Sequence, residues 1–247
     1  MIKLQAVFFD LGDTLIDLGE GRGDYEARLK ARVGRVYDAL AAAGAQLPDR
    51  QLFCDALAYG SEERYRRALA EQQGLNVYDV LRWFFERMGI RADDGLLEIG
   101  GDAYCRGVTA GLPLRTGARE LLTELRGRGL KLGVISNTLQ PGRYLDDSLA
   151  RKGLLEFFPA RIYSSEVGVA KPHPAIFRAA LAVLDVPPER ALHVGDRPEA
   201  DVAGAHGVGM KAVLIGVPHR PLEELTVLPD ARIAELPELL AVLPGLF

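Results

Sequence analysis

Four apolar residues, Ala6-Val7-Phe8-Phe9, run without a break into Asp10-Leu11-Gly12-Asp13-Thr14-Leu15. An apolar run of that length without alternation reads as a strand covered on both faces, as in a parallel sheet flanked by helices. The polar cluster stands where that strand ends. Open parallel α/β sheets bind ligands beyond the carboxyl ends of their strands, so Asp10 is expected at the mouth of a crevice. An aspartate there can be a nucleophile, a metal ligand or a helix cap, and this stretch alone leaves all three open.

The remainder of the chain falls into two textures. Residues 17–24 (DLGEGRGD) are rich in glycine and charge and read as a linker. Helical periods follow. Leu29, Val33, Val36, Tyr37 and Leu40 share a face, a second stretch starts at Leu52, and Val77, Val80, Leu81, Phe84, Phe85 and Met88 form the clearest stripe, closed by Gly89. A weaker helix covers 93–107, and nothing in 24–108 alternates like a strand. From Leu112 onward helices at 118–128, 143–152, 174–184 and 199–206 alternate with short apolar strands at 130–136, 160–164, 191–194 and 210–215. Such alternation argues for βαβ units and a mostly parallel sheet. The last residues, with Leu222–Leu225 and Pro237–Val242, are expected to form short helices. The expected fold is therefore α/β: a three-layer, Rossmann-like, mostly parallel core of residues 1–16 and 112–247, with an all-helical cap, 17–111, inserted after the first strand.

Composition narrows the partners. The 247 residues are 48% hydrophobic and 26% charged, with a net charge of −4. That balance gives no reason to expect nucleic acid or an anionic membrane as a partner. Of 30 basic residues six are lysine (3, 30, 131, 152, 171 and 211) and the rest arginine. Cys54 and Cys105 lie far apart and form no C-x-x-C, which favours a reduced, cytoplasmic setting. No signal peptide and no run long enough to span a bilayer is visible. Oligomeric state is not legible.

Four polar clusters fall at strand ends or just beyond them: Asp10–Thr14, Ser136-Asn137, Lys171-Pro172, and Gly195-Asp196 with Asp201. Parallel neighbouring strands would gather them at one edge. Three carboxylates suit a hard divalent cation, since Mg²⁺ takes one or two carboxylates plus waters and substrate phosphate. Ser136, Lys171 and backbone N–H groups could surround phosphoryl oxygens. A carboxylate can attack phosphorus, with lysine and metal stabilising the transferring charge. Alternatives stand beside each residue. Ser136-Asn137 could be turn chemistry, Lys171 a solvated lysine, and Asp201 a first-turn helix acid. His173, His193, His206 and His219 lack metal-ligand spacing and read as structural. The stripe over 77–88, with Trp83 beside it, reads as cap core.

In this order the motifs resemble the haloacid dehalogenase superfamily, which carries D-x-D-x-T after its first strand, Ser or Thr after a second, then a lysine, often followed by proline, and finally G-D-x(3–4)-D. The matching residues are Asp10, Thr14, Ser136, Lys171 within Val169-Ala170-Lys171-Pro172-His173-Pro174, and Gly195-Asp196 with Asp201. The resemblance spans essentially the whole chain. It implies Asp10 as nucleophile and Mg²⁺ ligand, with the Gly12 carbonyl and Asp196 completing the metal site. Ser136 and Lys171 would hold phosphate, Asn137 would orient neighbours, and Asp13, Thr14 and Asp201 would support from behind. The implied activity is Mg²⁺-dependent hydrolysis of a small phosphorylated metabolite through an aspartyl-phosphate.

One position departs from the pattern. Phosphatases of this superfamily carry an acid–base aspartate two residues after the nucleophile; here Gly12 stands there, and Asp13 is one place too late. Such a group contributes about a hundred- to ten-thousand-fold, so alkyl-phosphate hydrolysis is expected to be weak. Three competing readings follow. A dehalogenase would have no use for Asp196 and Asp201. A phosphonatase would need a cap lysine, and Lys30 alone is available. A non-catalytic binding or regulatory protein would keep the fold and turn over little. The cap is expected to close on hinges near Gly19–Gly23 and Ala110–Pro113, with Arg22, Tyr25 and Arg28 near the substrate.

Overall fold

The computed structural model describes residues 3–19, 25–109, 111–217 and 227–247. Six strands form one sheet: β1 (Ala6–Phe9), β2 (Lys131–Ser136), β3 (Ala160–Tyr163), β4 (Ala191–Gly195), β5 (Lys211–Ile215) and β6 (Ala231–Ile233). Their order is β3-β2-β1-β4-β5-β6, and every neighbouring pair is parallel. Chain order reverses direction at β1, which has β2 on one side and β4 on the other. That reversal is the switch point at which an α/β sheet opens a crevice.

Side-chain alternation decides the layers. Val7 and Phe9 of β1, with Leu132, Val134, Leu192 and Val194, face one way. They meet Leu121, Leu122 and Leu125 of α5 (Ala118–Gly127) and Leu145 and Leu149 of α6 (Gly142–Arg151). Ala6 and Phe8, with Ile135, Ile162, Ala212 and Leu214, face the other way. They pack on Ile176, Phe177, Ala180 and Leu181 of α8 (Pro174–Leu184) and Ala205 of α9 (Gly204–His206). A single-turn helix of four residues, α7 (Ser164–Val167), follows β3 directly, and α10 (Leu239–Val242) closes the first layer near the carboxyl end. All four side chains of β1 are fully buried. At about 1.5–3 kcal/mol for each large one, this short strand is a main contributor to the core.

Between β1 and α5 stand four helices: α1 (Tyr25–Ala42), α2 (Arg50–Ala70), α3 (Val77–Met88) and α4 (Asp94–Cys105). Local signals set their starts. Asp49 accepts from the N–H groups of Gln51 and Leu52 at 2.9 and 3.1 Å, Asn76 from Asp79 at 3.0 Å, and Asp93 from Leu96 at 2.9 Å. Gly89 ends α3 in the left-handed region, φ 65°. Leu29, Val33, Val36, Leu40, Phe53, Leu57, Leu81, Phe84 and Phe85 form a core of their own, apart from both sheet layers. The expected stripe on α3 is its centre, and Trp83 packs partly against it.

Ile16 pairs antiparallel with Leu114, and Asp17 N–H donates to Pro113 O at 3.0 Å, so the chain leaves and re-enters the sheet layer at adjacent points. The segment joining α2 to α3 is tied to the sheet layer. Ala170 N–H donates to Gln72 O at 2.9 Å, Gly74 N–H to Gly168 O at 3.0 Å, and Val77 N–H to Leu139 O at 2.9 Å.

Three expectations are refined. The helix expected over 199–206 is a π-helical turn, Pro198–Ala203, continued by α9. The wider turn lets the Asp201 side chain bond back to the Arg197 N–H at 3.0 Å. The three-residue β6 was not foreseen, being too short to carry a period. The helix expected at Leu222–Leu225 lies outside the described residues, as do His219, Arg22 and part of both expected hinges.

Candidate active site

Asp10 follows the last residue of β1, and its N–H continues the ladder to Val194 O at 2.9 Å. Its neighbours in the sheet end in the other polar clusters. β2 ends in Ser136, followed by Asn137; β4 ends in Gly195, followed by Asp196. Lys171 comes from the loop before α8. Asn137 holds that loop with both ends of its amide: Lys171 N–H donates to Oδ1 at 2.8 Å, and Nδ2 donates to Lys171 O at 3.0 Å. The peptide joining Lys171 to Pro172 is cis.

Lys171 is 3% exposed, and its ammonium donates to Asp10 Oδ1 at 2.6 Å, Asp201 Oδ1 at 2.6 Å and Ile135 O at 2.8 Å. All three of its protons are thereby used. Asp201 is fully engaged. Its Oδ1 also meets His193 Nε2 at 2.8 Å, and its Oδ2 accepts from Arg197 N–H. Gly195 lies under this carboxylate, since a Cβ there would sit 2.2 Å from Asp201 Cγ. Asp10, Asp196 and Asp201 each place a carboxylate oxygen within 4.8 Å of the others.

Burial pushes the Asp10 carboxyl up to about 6; Lys171 opposes the shift, and the charges of Asp201 and Asp196 add to it. Burial would raise Asp201 as well, but the Lys171 ammonium and the bond from His193 hold it below the usual carboxylate range. Lys171 stays above its ordinary value despite burial, because two carboxylates face it. Burial lowers His193, so the ring is neutral and donates its Nε2 proton to Asp201. Three carboxylates share this buried site with the one Lys171 ammonium, so acids outnumber the lysine that faces them.

That imbalance tests the site for a cation. Both oxygens of Asp201 accept hydrogen bonds, from Lys171, His193 and Arg197, and Lys171 donates to Oδ1 of Asp10. Asp10 Oδ2 and Asp196 are then the two carboxylate donors for a hard divalent ion, the number that Mg²⁺ usually takes from protein. The residues fit that metal.

These groups line a cavity of about 510 Å³ together with Gly12, Asp13, Ser136 and Asn137. The structure thus brings together Asp10, Gly12, Asp13, Ser136, Asn137, Lys171, Asp196 and Asp201. Thr14 is fully buried behind them and does not line the cavity. Asp13 has φ 55°, and its Oδ1 accepts from Leu18 N–H at 3.1 Å while its carbonyl accepts from Arg115 at 2.7 Å. It is a turn residue held in place. The histidine at position 193 was read from sequence as structural, and its contact with Asp201 was missed; a single His inside the apolar run of β4 was the available signal. Leu18, Tyr65 and Thr109 also line the cavity, and no motif marks them.

An all-parallel sheet with a carboxylate at its switch point, two more acids and a buried lysine beside it, and four helices inserted after its first strand places the chain among Rossmann-like α/β hydrolases. The chain belongs to the haloacid dehalogenase-like hydrolase family, whose sequence profile matches residues 4–209. It is 39% identical to phosphoserine phosphatase of Thermus thermophilus over 126 residues, 51% of this chain and 49% of that one. It is 28% identical to glyceraldehyde 3-phosphate phosphatase of Pyrococcus furiosus over 247 residues, covering 98% of this chain and 94% of that one. Among solved structures, a 2-haloacid dehalogenase from Pseudomonas syringae superimposes with TM-score 0.68 at 26% identity, covering 98% and 99% of the two chains.

Proposed function

We propose that this chain is a Mg²⁺-dependent phosphatase acting on a small phosphorylated metabolite through an aspartyl-phosphate on Asp10. The carrying observation is the cluster of Asp10, Asp196 and Asp201 around the Lys171 ammonium. Displacement at carbon needs one carboxylate and gains nothing from two more; transfer of a doubly charged phosphoryl group needs a cation and a lysine. The phosphatase names of the two relatives agree with that chemistry. The phosphonatase reading lacks its lysine, because Lys30 is an exposed partner of Glu26 on α1.

In this reading Asp10 attacks phosphorus as the bond to the in-line leaving oxygen breaks; the alcohol departs with a proton from water, and a second water hydrolyses the aspartyl-phosphate to free Asp10 and phosphate. Asp10 Oδ2, Asp196 and the Gly12 carbonyl would hold Mg²⁺, whose positive charge would favour the phosphoryl oxygens as charge is transferred. Ser136 and Lys171 bind phosphate, and Asn137 fixes Lys171. Asp201 keeps the ammonium aimed, with His193 steadying Asp201. Asp13 and Thr14 support the turn. Residues 17–111 act as a cap over the core of 1–16 and 112–247 and exclude water from the cavity.

Phosphate release from p-nitrophenyl phosphate, with Mg²⁺ or with chelator, tests the reading. The expected result is Mg²⁺-dependent turnover that Asp10→Asn abolishes without lowering the melting temperature, since a carboxyl pushed up to about 6 is destabilising when ionised. Asp196→Ala should weaken Mg²⁺ binding by calorimetry. Turnover near wild type in Asp10→Asn would remove Asp10 from the mechanism.

A further inference from the structure

A second cavity of about 560 Å³ lies against the first, and Leu18, Tyr65, Thr109 and Asn137 line both. A group bonded to a phosphate at Asp10 therefore has room to extend into it. Its charge is of the opposite sign to the acid cluster. Arg28 and Arg32 face it from α1, Arg66 from α2 and Arg197 from the loop after β4, against one carboxylate, Glu62. Glu62 is itself taken, as acceptor of the Tyr25 hydroxyl proton.

The two arginines of α1 are held and yet not neutralised. Arg28 and Arg32 stand four residues apart, on one face of α1. Arg28 Nη2 donates to Leu18 O at 2.7 Å, and Arg32 lies 5.0 Å from the centre of the Tyr104 ring. Each keeps further N–H donors of its planar fork. Among the described residues, Arg28, Arg32 and Arg66 form no ion pair. Guanidinium groups that line one cavity without carboxylate partners repel one another, and an oxyanion relieves that repulsion.

We propose that this cavity is a subsite for a second anionic group on the substrate, so that the preferred substrates are phosphate esters that also carry a carboxylate or a second phosphate. The proposal rests on the phosphatase reading above and assigns its substrate class. The phosphate sits at the acid cluster with its cation, and the second oxyanion is received by Arg28, Arg32 and Arg66. Neutral sugar or alcohol phosphates satisfy the first cavity alone.

The test uses alkyl monophosphates of two to five carbons that end in a carboxylate, a phosphate or a hydroxyl, with p-nitrophenyl phosphate as a substrate without a second anion. Wild type should favour the anion-ended compounds by about tenfold or more in kcat/KM, the scale of one charge-assisted contact. Arg32→Gln and Arg66→Gln should each erode that preference through KM while leaving p-nitrophenyl phosphate within about twofold of wild type. Arg66 is exposed, so its substitution does not endanger folding. The carboxylate and phosphate arms tell which oxyanion the subsite takes. Equal kcat/KM for all three endings in wild type overturns the proposal, as does a preference that survives both substitutions. If wild type hydrolyses none of the compounds, the phosphatase reading fails, and calorimetry with the same compounds decides the subsite. Tighter binding of the anion-ended compounds, lost in Arg32→Gln and Arg66→Gln, supports it. Binding that is indifferent to the ending, or absent, overturns it.

Discussion

At the scale of single residues, the glycine at position 12 and the leucine at position 18 belong to one local arrangement. A Cβ on Gly12 would lie 2.8 Å from Leu18 Cδ1 and 3.4 Å from Leu18 Cγ. Leu18 thus occupies the start of the path that an acid–base side chain would take from position 12. Asp13 offers no substitute, because its carboxylate and carbonyl are both spent on holding the turn. The obstacle is the tip of a flexible side chain, so it can move. Gly12→Asp alone is expected to gain little on alkyl phosphates. Gly12→Asp with Leu18→Ala should raise alkyl-phosphate kcat/KM by about tenfold or more, at least ~1.4 kcal/mol of transition-state stabilisation. Aryl phosphates, whose leaving oxygens need little protonation, should gain much less. Steady-state kinetics on both classes checks this. A double variant that folds and leaves both unchanged would show that proton transfer is supplied from elsewhere.

At the scale of elements, the site is made by strand ends and by the loops that follow them. Asn137 is the joint between two such loops, giving the backbone of Lys171 one donor and one acceptor. Removing the amide leaves both groups of Lys171 without that partner. Asn137→Ala should therefore cost about 1–3 kcal/mol in denaturant unfolding, and lower kcat more than KM because the ammonium loses its aim. Unchanged stability would show that the loop is held elsewhere. The sequence made this scale readable where a pattern is long or chemically loud. The α3 stripe, the capped helix starts and the strand runs into Asp10, Ser136 and Asp196 each combine a period with a punctuating residue. Asp201 could be placed near Lys171 by motif order. What could not be read were contacts with no local pattern: the three residues of β6, the π-helical turn that swings Asp201 back onto Arg197, and His193 behind it. The arginines of α1 and α2 were equally silent, since an amphipathic helix shows the same polar residues whether they face water or a cavity.

At the scale of the molecule, the helical insertion touches the sheet layer through the segment between α2 and α3, and through Tyr78 and Asp102, which accept from Arg143 and Tyr144 of α6. A Cβ on Gly74 would stand 1.9 Å from Ser164 O and 2.8 Å from Val169 N, both backbone atoms with little freedom to yield. Gly74→Ala should break the contact at a cost of about 1–3 kcal/mol, and hydrogen exchange at the amides of Gly74, Val77 and Ala170 should quicken by about tenfold or more. The buried amides of α3 beyond its first turn, held by the insertion's own core, should not change. Unaltered exchange at all of these amides would show that the segment is not what joins the two parts. The insertion begins and ends at one place, where Ile16 pairs antiparallel with Leu114. Two chain ends in that relation are the ends of a hairpin, which a tight turn of a few residues closes. To the sheet, therefore, the four helices are one long hairpin loop, and the entropy of closing a loop grows only slowly with its length. The chain can lengthen, shorten or replace everything between those two residues without re-registering a strand. The helical insertion is in this sense an interchangeable part, and the sheet that it leaves and rejoins a standard fitting.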